Sequence, residues 1–239
     1  ELNVSVIIKE THLAKALKAL HGAFFLSNRQ SLNLYVVGTG LIGGTLLKQI
    51  KRQYYYFYEK RFLSINIVAL ANSKKMMFDE NGLNLESWME DLDSKGSKMS
   101  IRNYIDQMMT LDLPNSIFVD NTSSKVISDH YEELLNANIS VVTPNKLANS
   151  DSYDRYLELQ DIALKNGVKF LYETNVGAGL PVISTLRDLK LSGDQIRKID
   201  GILSGTISYI FNSFEGNKKF SEVVREAKQL GYTEPDPRD

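Results

Sequence analysis

Gly38, Gly40 and Gly43 stand in the pattern Gly-x-Gly-x-x-Gly, straight after the apolar run Leu34–Val37 and straight before a helical stretch from Leu41. Strand, glycine turn and helix in that order are suited to holding a diphosphate. Gly38 permits the tight turn, Gly40 has no Cβ and lets the backbone approach a pyrophosphate, and Gly43 lets the helix pack against the strand. The helix N-terminus offers free N–H groups and a partial positive charge. A glycine turn with a purely structural role is the competing reading. At Ala71-Asn72-Ser73-Lys74-Lys75, NAD-binding proteins carry an acid for the ribose hydroxyls, and this chain has none. A 2′-phosphate would welcome the hydroxyl and the lysine charges, so NADP is expected to be at least tolerated; ordinary surface lysines on a turn are the alternative. Lys146 follows a short apolar run and could bond a carbonyl or a phosphate, or simply decorate the surface. The hydroxyls of Asn121-Thr122-Ser123-Ser124 can face a cofactor, cap a helix, or do both. Asn175-Val-Gly-Ala-Gly-Leu-Pro181 is a second glycine turn, with Glu173 upstream. Inward carbonyls plus one carboxylate suit a hard cation such as sodium, potassium or calcium, while a flexible interdomain loop fits the same residues.

The elements that must position these groups follow from periodicity. Leu2, Val4, Val6 and Ile8 alternate as in a half-exposed strand, and Leu13, Ala16, Leu17 and Leu20 share a helical face behind Thr11. Ser27–Ser31 is a polar linker, so residues 1–26 look like the tail of an upstream domain. The helix after the glycine turn is expected to run from Leu41 to about Lys60, with the aromatics Tyr54–Tyr58 docked on a sheet and some hydroxyl tips in water. Strands are expected at 65–71, 117–120, 139–142 and 169–173. Helices are expected at 83–92, 100–111, 126–137 and 151–166, with Asp93–Ser97 a polar linker. Strands alternating with helices over 34–173 give α/β architecture, a doubly wound parallel sheet of five or six strands. Beyond it come helices at 181–189, 207–214 and 220–230, a strand at 198–203, and a closing loop from Gly231 to Asp239.

Composition narrows the classes. The chain has 239 residues, 43% hydrophobic and 24% charged, enough for one large or two smaller domains. A net charge of −1 argues against nucleic acid as the main partner. No apolar run reaches the roughly 18 residues of a membrane span. Without cysteine there are no disulfides, thiolate nucleophiles or cysteine-ligated metals. With only His12, His21 and His130, a histidine-rich metal site is not expected. No signal peptide opens the chain, which makes the cytoplasm the default setting.

Taken together, Gly38-x-Gly-x-x-Gly43, Ala71-Asn-Ser-Lys74, Asp120-x-Thr-Ser-Ser124, Val142-Thr-Pro-Asn-Lys146, Asn175–Pro181, Gly201-Ile-Leu-Ser-Gly-Thr206 and Gly231–Asp239 resemble homoserine dehydrogenase, in the same order. The likeness covers residues 31–239. Residues 1–26 resemble the end of an aspartokinase regulatory region, which points to the bifunctional aspartokinase–homoserine dehydrogenase family. The resemblance implies three parts: 1–30 a regulatory tail with linker, 31–174 a Rossmann-type dinucleotide-binding domain, and 175–239 an incomplete α+β substrate and dimerisation domain. It implies reduction of aspartate 4-semialdehyde to homoserine with NADP or NAD, on the route to threonine, methionine and isoleucine. Gly38, Gly40, Ile42 and Gly43 would hold the pyrophosphate. Asn72 and Lys74 would sit by the adenosine ribose, Thr122 and Lys146 on the nicotinamide side, and Gly231 beside cofactor and ion. Gly205, Thr206 and Glu234 would meet the substrate. Glu173 and the carbonyls of Val176, Ala178 and Leu180 would bind a sodium-like ion. A homo-oligomer, with neither nucleic acid nor membrane as partner, is implied for the whole protein.

As catalytic residues, Lys146 would polarise the aldehyde oxygen and Glu234 would hold the substrate ammonium. In the family an Asp and a Lys follow shortly after the segment that ends here at Asp239, and the Lys is the proposed proton donor. The 239 residues alone are therefore expected to be nearly inert, since general acids are worth about 10²–10⁴-fold in rate. Two other readings stay open: a nucleotide-sensing or dimerisation module without catalysis, and a dehydrogenase for a different small carbonyl.

Overall fold

A computed structural model describes residues 5–10, 13, 16, 17, 20, 29–216 and 218–233. The chain divides into two compact units, one ending at Leu171 and one beginning at Tyr172.

The first unit is a seven-stranded sheet. β1 (Gln30–Val37) leads through α1 (Leu41–Tyr55), which ends in a wide π turn over Tyr56–Lys60, to β2 (Leu63–Ala71) and β3 (Lys75–Phe78). α2 (Trp88–Lys95), β4 (Ser97–Lys98), α3 (Ile101–Leu111) and β5 (Ser116–Asp120) follow. Then come α4 (Lys125–Ser128), α5 (Tyr131–Asn136), β6 (Ser140–Val142), α6 (Leu147–Ser150), α7 (Tyr153–Asn166) and β7 (Phe170–Leu171). The strand order is β4-β3-β2-β1-β5-β6-β7. The five strands β2, β1, β5, β6 and β7 are parallel, and β3 and β4 run antiparallel at one edge. From β1 the chain winds outward to one side and then, from β5, to the other, which makes the β1/β5 boundary the topological switch point.

The central strands are sealed on both faces, so they lack polar alternation. Leu34–Val37 and Ile67–Ala71 are buried throughout. α1 turns Leu47 and Ile50 onto Leu34, Val36, Ile67 and Leu70. In this unit, serine side chains cap two helices: Ser100 accepts from the Asn103 N–H and Ser152 from the Arg155 N–H.

Several expected boundaries move. β3 replaces the expected turn; of the linker expected over Asp93–Ser97, residues 93–95 end α2 and Ser97 opens β4, which pairs antiparallel with β3. The Asn72 carboxamide oxygen accepts the N–H groups of Lys74 and Lys75 at 2.8 Å each, an Asx turn that doubles the chain back beside β2. Leu83, expected to open a helix, donates its N–H to Ile67 instead, and helix forms only from Trp88. The helix expected over 126–137 breaks at Asp129 and His130. The strand expected at 169–173 pairs only at Phe170–Leu171 and then turns into a 3-10 segment, Glu173–Asn175. The tyrosine run docks only in part: Phe57 and Tyr58 are half-buried in the π turn, which contacts β2, while Tyr54, Tyr55 and Tyr56 are at least half exposed. Tyr54 stacks on Tyr58, and the Arg29 guanidinium lies 3.9 Å over the Tyr58 ring. The strand expected at 2–8 is not formed at 5–8, where the exposed chain has no pairing partner among the described residues; residues 1–4 lie outside them.

The second unit holds the Glu173–Asn175 segment, α8 (Ile183–Leu191), α9 (Gly205–Ser213) and α10 (Phe220–Gln229). The strand expected at 198–203 is absent; Ile199, Ile202 and Leu203 are more than half exposed and have no strand beside them among the described residues.

Candidate functional site

In the first unit, the carboxyl ends of the parallel strands carry the site. Register places Val37 beside both Ala71 and Asp120, and Val119 beside Val142. The loops that begin at Gly38, Asn72, Asn121 and Thr143 therefore share one edge of the sheet. Backbone bonds tie them: Gly38 N–H to the Ala71 carbonyl and Asn121 N–H to the Val37 carbonyl, each 2.8 Å.

The three glycines differ in what a side chain would meet. Gly38 has φ +91°, and a Cβ there would lie 2.8 Å from the Asn121 carbonyl carbon and 2.9 Å from Thr122 Cγ2. A Cβ on Gly43 would fall 1.9 Å from the Gly38 carbonyl oxygen, so the helix start rests directly on the turn. A Cβ on Gly40 would meet nothing within 4 Å among the described residues. Its bareness serves no packing within the protein and fits a backbone surface open to a ligand. The first N–H groups of α1 lack intrahelical carbonyls. Gly40 supplies no capping side chain, and no acid occupies the first turn. Exposed donors at a bare glycine turn are the chemistry that a diphosphate needs.

Around this turn, Asn72 is fixed as described, Lys74 is exposed, and the Lys75 ammonium is taken up by Asp93. Of the two lysines, Lys74 is the better placed to meet a phosphate. Thr122 is held at both ends: its N–H donates to Asp120 Oδ1 at 2.7 Å, and its hydroxyl accepts from the Ser124 N–H at 3.1 Å. Lys146 is exposed at the end of the loop after β6.

Sequence reasoning missed what lies beneath. Asp120 is fully buried, and its Oδ2 accepts from the Tyr131 hydroxyl at 2.6 Å and from Asn145 Nδ2 at 2.9 Å. The Thr143 hydroxyl donates to the Asp120 carbonyl at 2.8 Å and accepts from the Asn145 N–H at 2.8 Å. Burial pushes the Asp120 carboxyl above its usual range against the pull of these donors, and it raises the Tyr131 phenol strongly. Asp120, Thr143 and Asn145 stand in two of the motif blocks, but an acid closing an apolar strand does not distinguish a buried acid from a solvated one.

In the second unit, both Glu173 carboxylate oxygens accept backbone N–H groups at the start of α8, from Ile183 and Ser184 at 2.9 Å each. Gly177 and Ala178 are left-handed, φ +74° and +52°, and the Leu180 carbonyl accepts from the Val182 N–H at 2.9 Å. No cluster of three His, Cys, Asp or Glu side chains exists among the described residues, so a cation here would rest on carbonyls and one carboxylate. Gly205 opens α9, and the Thr206 hydroxyl bonds the carbonyl of Tyr232, just past Gly231. That contact brings Gly205, Thr206 and Gly231 together. Glu234 lies outside the described residues.

Residues 38–173 match the family model described as homoserine dehydrogenase, NAD binding domain, and residues 181–239 match that of homoserine dehydrogenase. The chain belongs to the homoserine dehydrogenase family. Over its whole length it is 45% identical to the Arabidopsis thaliana protein named bifunctional aspartokinase/homoserine dehydrogenase 2, chloroplastic, of which it spans 26%. The homoserine dehydrogenase of Schizosaccharomyces pombe is 41% identical across 89% of this chain and 58% of its own. Among solved structures, a hyperthermophilic archaeal homoserine dehydrogenase in complex with NADPH aligns with a TM-score of 0.69 at 25% identity, covering 87% of this chain and 64% of that one. The homoserine dehydrogenase NAD-binding domain accounts for the parallel sheet and its glycine turn, and it makes a nicotinamide dinucleotide the cofactor class. Among the described residues no helix is long and apolar enough to cross a membrane.

Proposed function

We propose that this chain is the dinucleotide-binding part, with a portion of the substrate-binding part, of a homoserine dehydrogenase that reduces aspartate 4-semialdehyde to homoserine. The chain spans only about a quarter of the length of its bifunctional relatives, so the aspartokinase activity of the parent is part of the same proposal. The observation that carries it is the open surface around Gly40, on a turn locked by Gly43 against Gly38, in a chain of this family.

Gly38, Gly40, Ile42 and Gly43 form the seat of the diphosphate: Gly40, Ile42 and Gly43 offer backbone N–H groups, and Gly38, whose own N–H is bonded to the Ala71 carbonyl, makes the turn beneath them. Asn72 and Lys74 take the adenosine ribose, and the lysine charge favours NADP over NAD. Thr122 and Lys146 position the nicotinamide side; the cofactor, when bound, supplies the hydride. Lys146 polarises the aldehyde oxygen, and Glu234 holds the substrate ammonium beside Gly205 and Thr206, with Gly231 next to cofactor and ion. Glu173 keeps its helix-capping bonds and still has lone pairs for a monovalent cation, probed as sodium, shared with the carbonyls of Val176, Ala178 and Leu180. The domains run 31–174 and 175–239 after a regulatory tail over 1–30, and the whole protein is a homo-oligomer. We place it in the cytoplasm; the chloroplast is the alternative, since plant relatives carry that word in their names.

The test is oxidation of NADPH and NADH by the full-length protein with aspartate semialdehyde, with and without sodium. Turnover that prefers NADPH is expected, and Lys74→Glu should cut that preference roughly tenfold, about 1.4 kcal/mol. Tight dinucleotide binding with no turnover on this aldehyde would sink the dehydrogenase reading and leave a nucleotide-binding module.

A further inference from the structure

Five residues from four places in the fold converge under the carboxyl edge of the sheet. Asp120 ends β5, Tyr131 begins α5, Thr143 and Asn145 follow β6, and Ser124 closes the loop after β5. The Asp120 carboxylate uses both oxygens. Oδ1 takes the Thr122 N–H at 2.7 Å, and Oδ2 takes the Tyr131 hydroxyl at 2.6 Å and Asn145 Nδ2 at 2.9 Å. The Asn145 carboxamide also donates to the Ser124 carbonyl at 3.1 Å and accepts the Leu147 N–H at 3.1 Å. Asp120, Thr143 and Asn145 are all buried. A buried carboxylate held only by neutral donors is a costly feature. A sheet edge that merely needed covering would be served as well by apolar side chains.

What the feature does is geometric. One carboxylate bonds the backbone of the loop that carries Thr122 and the side chain next to Lys146, so it sets the spacing of two loops that have no strand pairing of their own beyond β5 and β6. The glycine turn is not part of this network.

We infer that Asp120 and Asn145 are positioning residues that hold Thr122 and Lys146 in mutual register for the transfer step, without contributing to diphosphate binding. The inference rests on the roles proposed above for Thr122 and Lys146. Neither Asp120 nor Asn145 touches substrate in this account; they act through their neighbours.

The experiment compares the full-length wild type with Asn145→Ala and Tyr131→Phe, measuring kcat, KM for aspartate semialdehyde, dissociation constants for NADPH and NADH by fluorescence titration, and Tm. Asn145→Ala removes the direct bond between the Lys146 loop and the carboxylate and leaves the Thr143 bonds in place. A displacement of about 1 Å in a reacting group can cost about 10²-fold, so kcat should fall roughly 10- to 100-fold. The dissociation constants for NADPH and NADH should rise by less than kcat falls, because the bonds that hold the glycine turn itself are untouched. Tyr131→Phe removes a hydroxyl that bonds Asp120 Oδ2 and the Thr143 hydroxyl but leaves the direct bonds of the carboxylate to Thr122 and Asn145 in place, so it should lower kcat less than Asn145→Ala does. Wild-type kcat in folded Asn145→Ala overturns the inference. So does a loss of dinucleotide affinity and Tm in proportion to kcat, which is the mark of a merely structural role. If Asn145→Ala does not fold, Asn145→Ser replaces it and is judged by the same split between kcat and dinucleotide affinity. An inactive wild type that still binds dinucleotide overturns the proposed function instead.

Discussion

Gly40 and Gly43 sit three residues apart in one motif, yet the surrounding atoms give them opposite sensitivities. A Cβ at position 43 would be 1.9 Å from the Gly38 carbonyl oxygen, backbone against backbone, and no rotamer relieves it. Gly43→Ala should destabilise the protein by about 1–3 kcal/mol, as overpacking does, and should weaken dinucleotide binding at the same time. A Cβ at position 40 meets nothing within 4 Å, and Gly40 has φ −70°, which any residue can adopt. Gly40→Ala should therefore leave Tm unchanged and still weaken dinucleotide binding at least tenfold, because the methyl group occupies space that only a ligand would use. Urea unfolding and fluorescence titration of both variants check this. Equal binding by Gly40→Ala and wild type would mean that the diphosphate does not approach this turn. The sequence pattern already gave Gly40 to close approach and Gly43 to packing; what it could not name is the atom that Gly43 packs on, the Gly38 carbonyl oxygen, which only the fold brings near.

At the level of elements, the long apolar strands and capped helices were readable because each satisfies a local rule. Val36, Val37 and the 67–71 run need two covered faces, and Ser100 and Ser152 sit one residue before their helices. The elements that were not readable depend on partners far along the chain. β3 exists because the Asx turn at Asn72 returns it to β2, and β4 because β3 offers an edge. The Asp120 network was hidden for the same reason, since its donors come from positions 122, 131 and 145. It has a consequence in acid. The Asp120 carboxyl is raised above 3.8 by burial, so the folded state holds its proton more tightly than the unfolded chain does. That preference stabilises the fold fully below the unfolded value and is lost as pH rises through the folded one. Asp120→Asn has no such titration. The stability of wild type minus that of Asp120→Asn, from urea unfolding at several pH values, should therefore fall as pH climbs from about 3 through the raised value, and then level off. A difference that grows over that window would show that the three donors outweigh burial.

Across the whole chain, the two units differ in how much apolar surface they hide. The first buries a continuous core around β1, β2 and β5, with Leu47, Ile50, Trp88 and Leu92 packed onto it. In the second, the buried hydrophobics among the described residues are Val223 and Ala227, both on α10, while Ile202, Leu203, Ile207 and Phe211 are more than half exposed. α8 and α9 bury no residue fully. A unit of this size is marginal even with a good core, and with so little burial the conformational entropy of its helices is not offset. Residues 29–171 expressed alone should therefore unfold in one cooperative calorimetric transition and retain dinucleotide binding. Residues 172–239 expressed alone should show no such transition, and their helical signal should decline gradually on heating. The binding of dinucleotide should raise the Tm of the first piece, as any ligand specific for the native state does. A cooperative transition in the isolated second piece would show that α8, α9 and α10 make a core by themselves, and the burial argument for their dependence on further chain would fail.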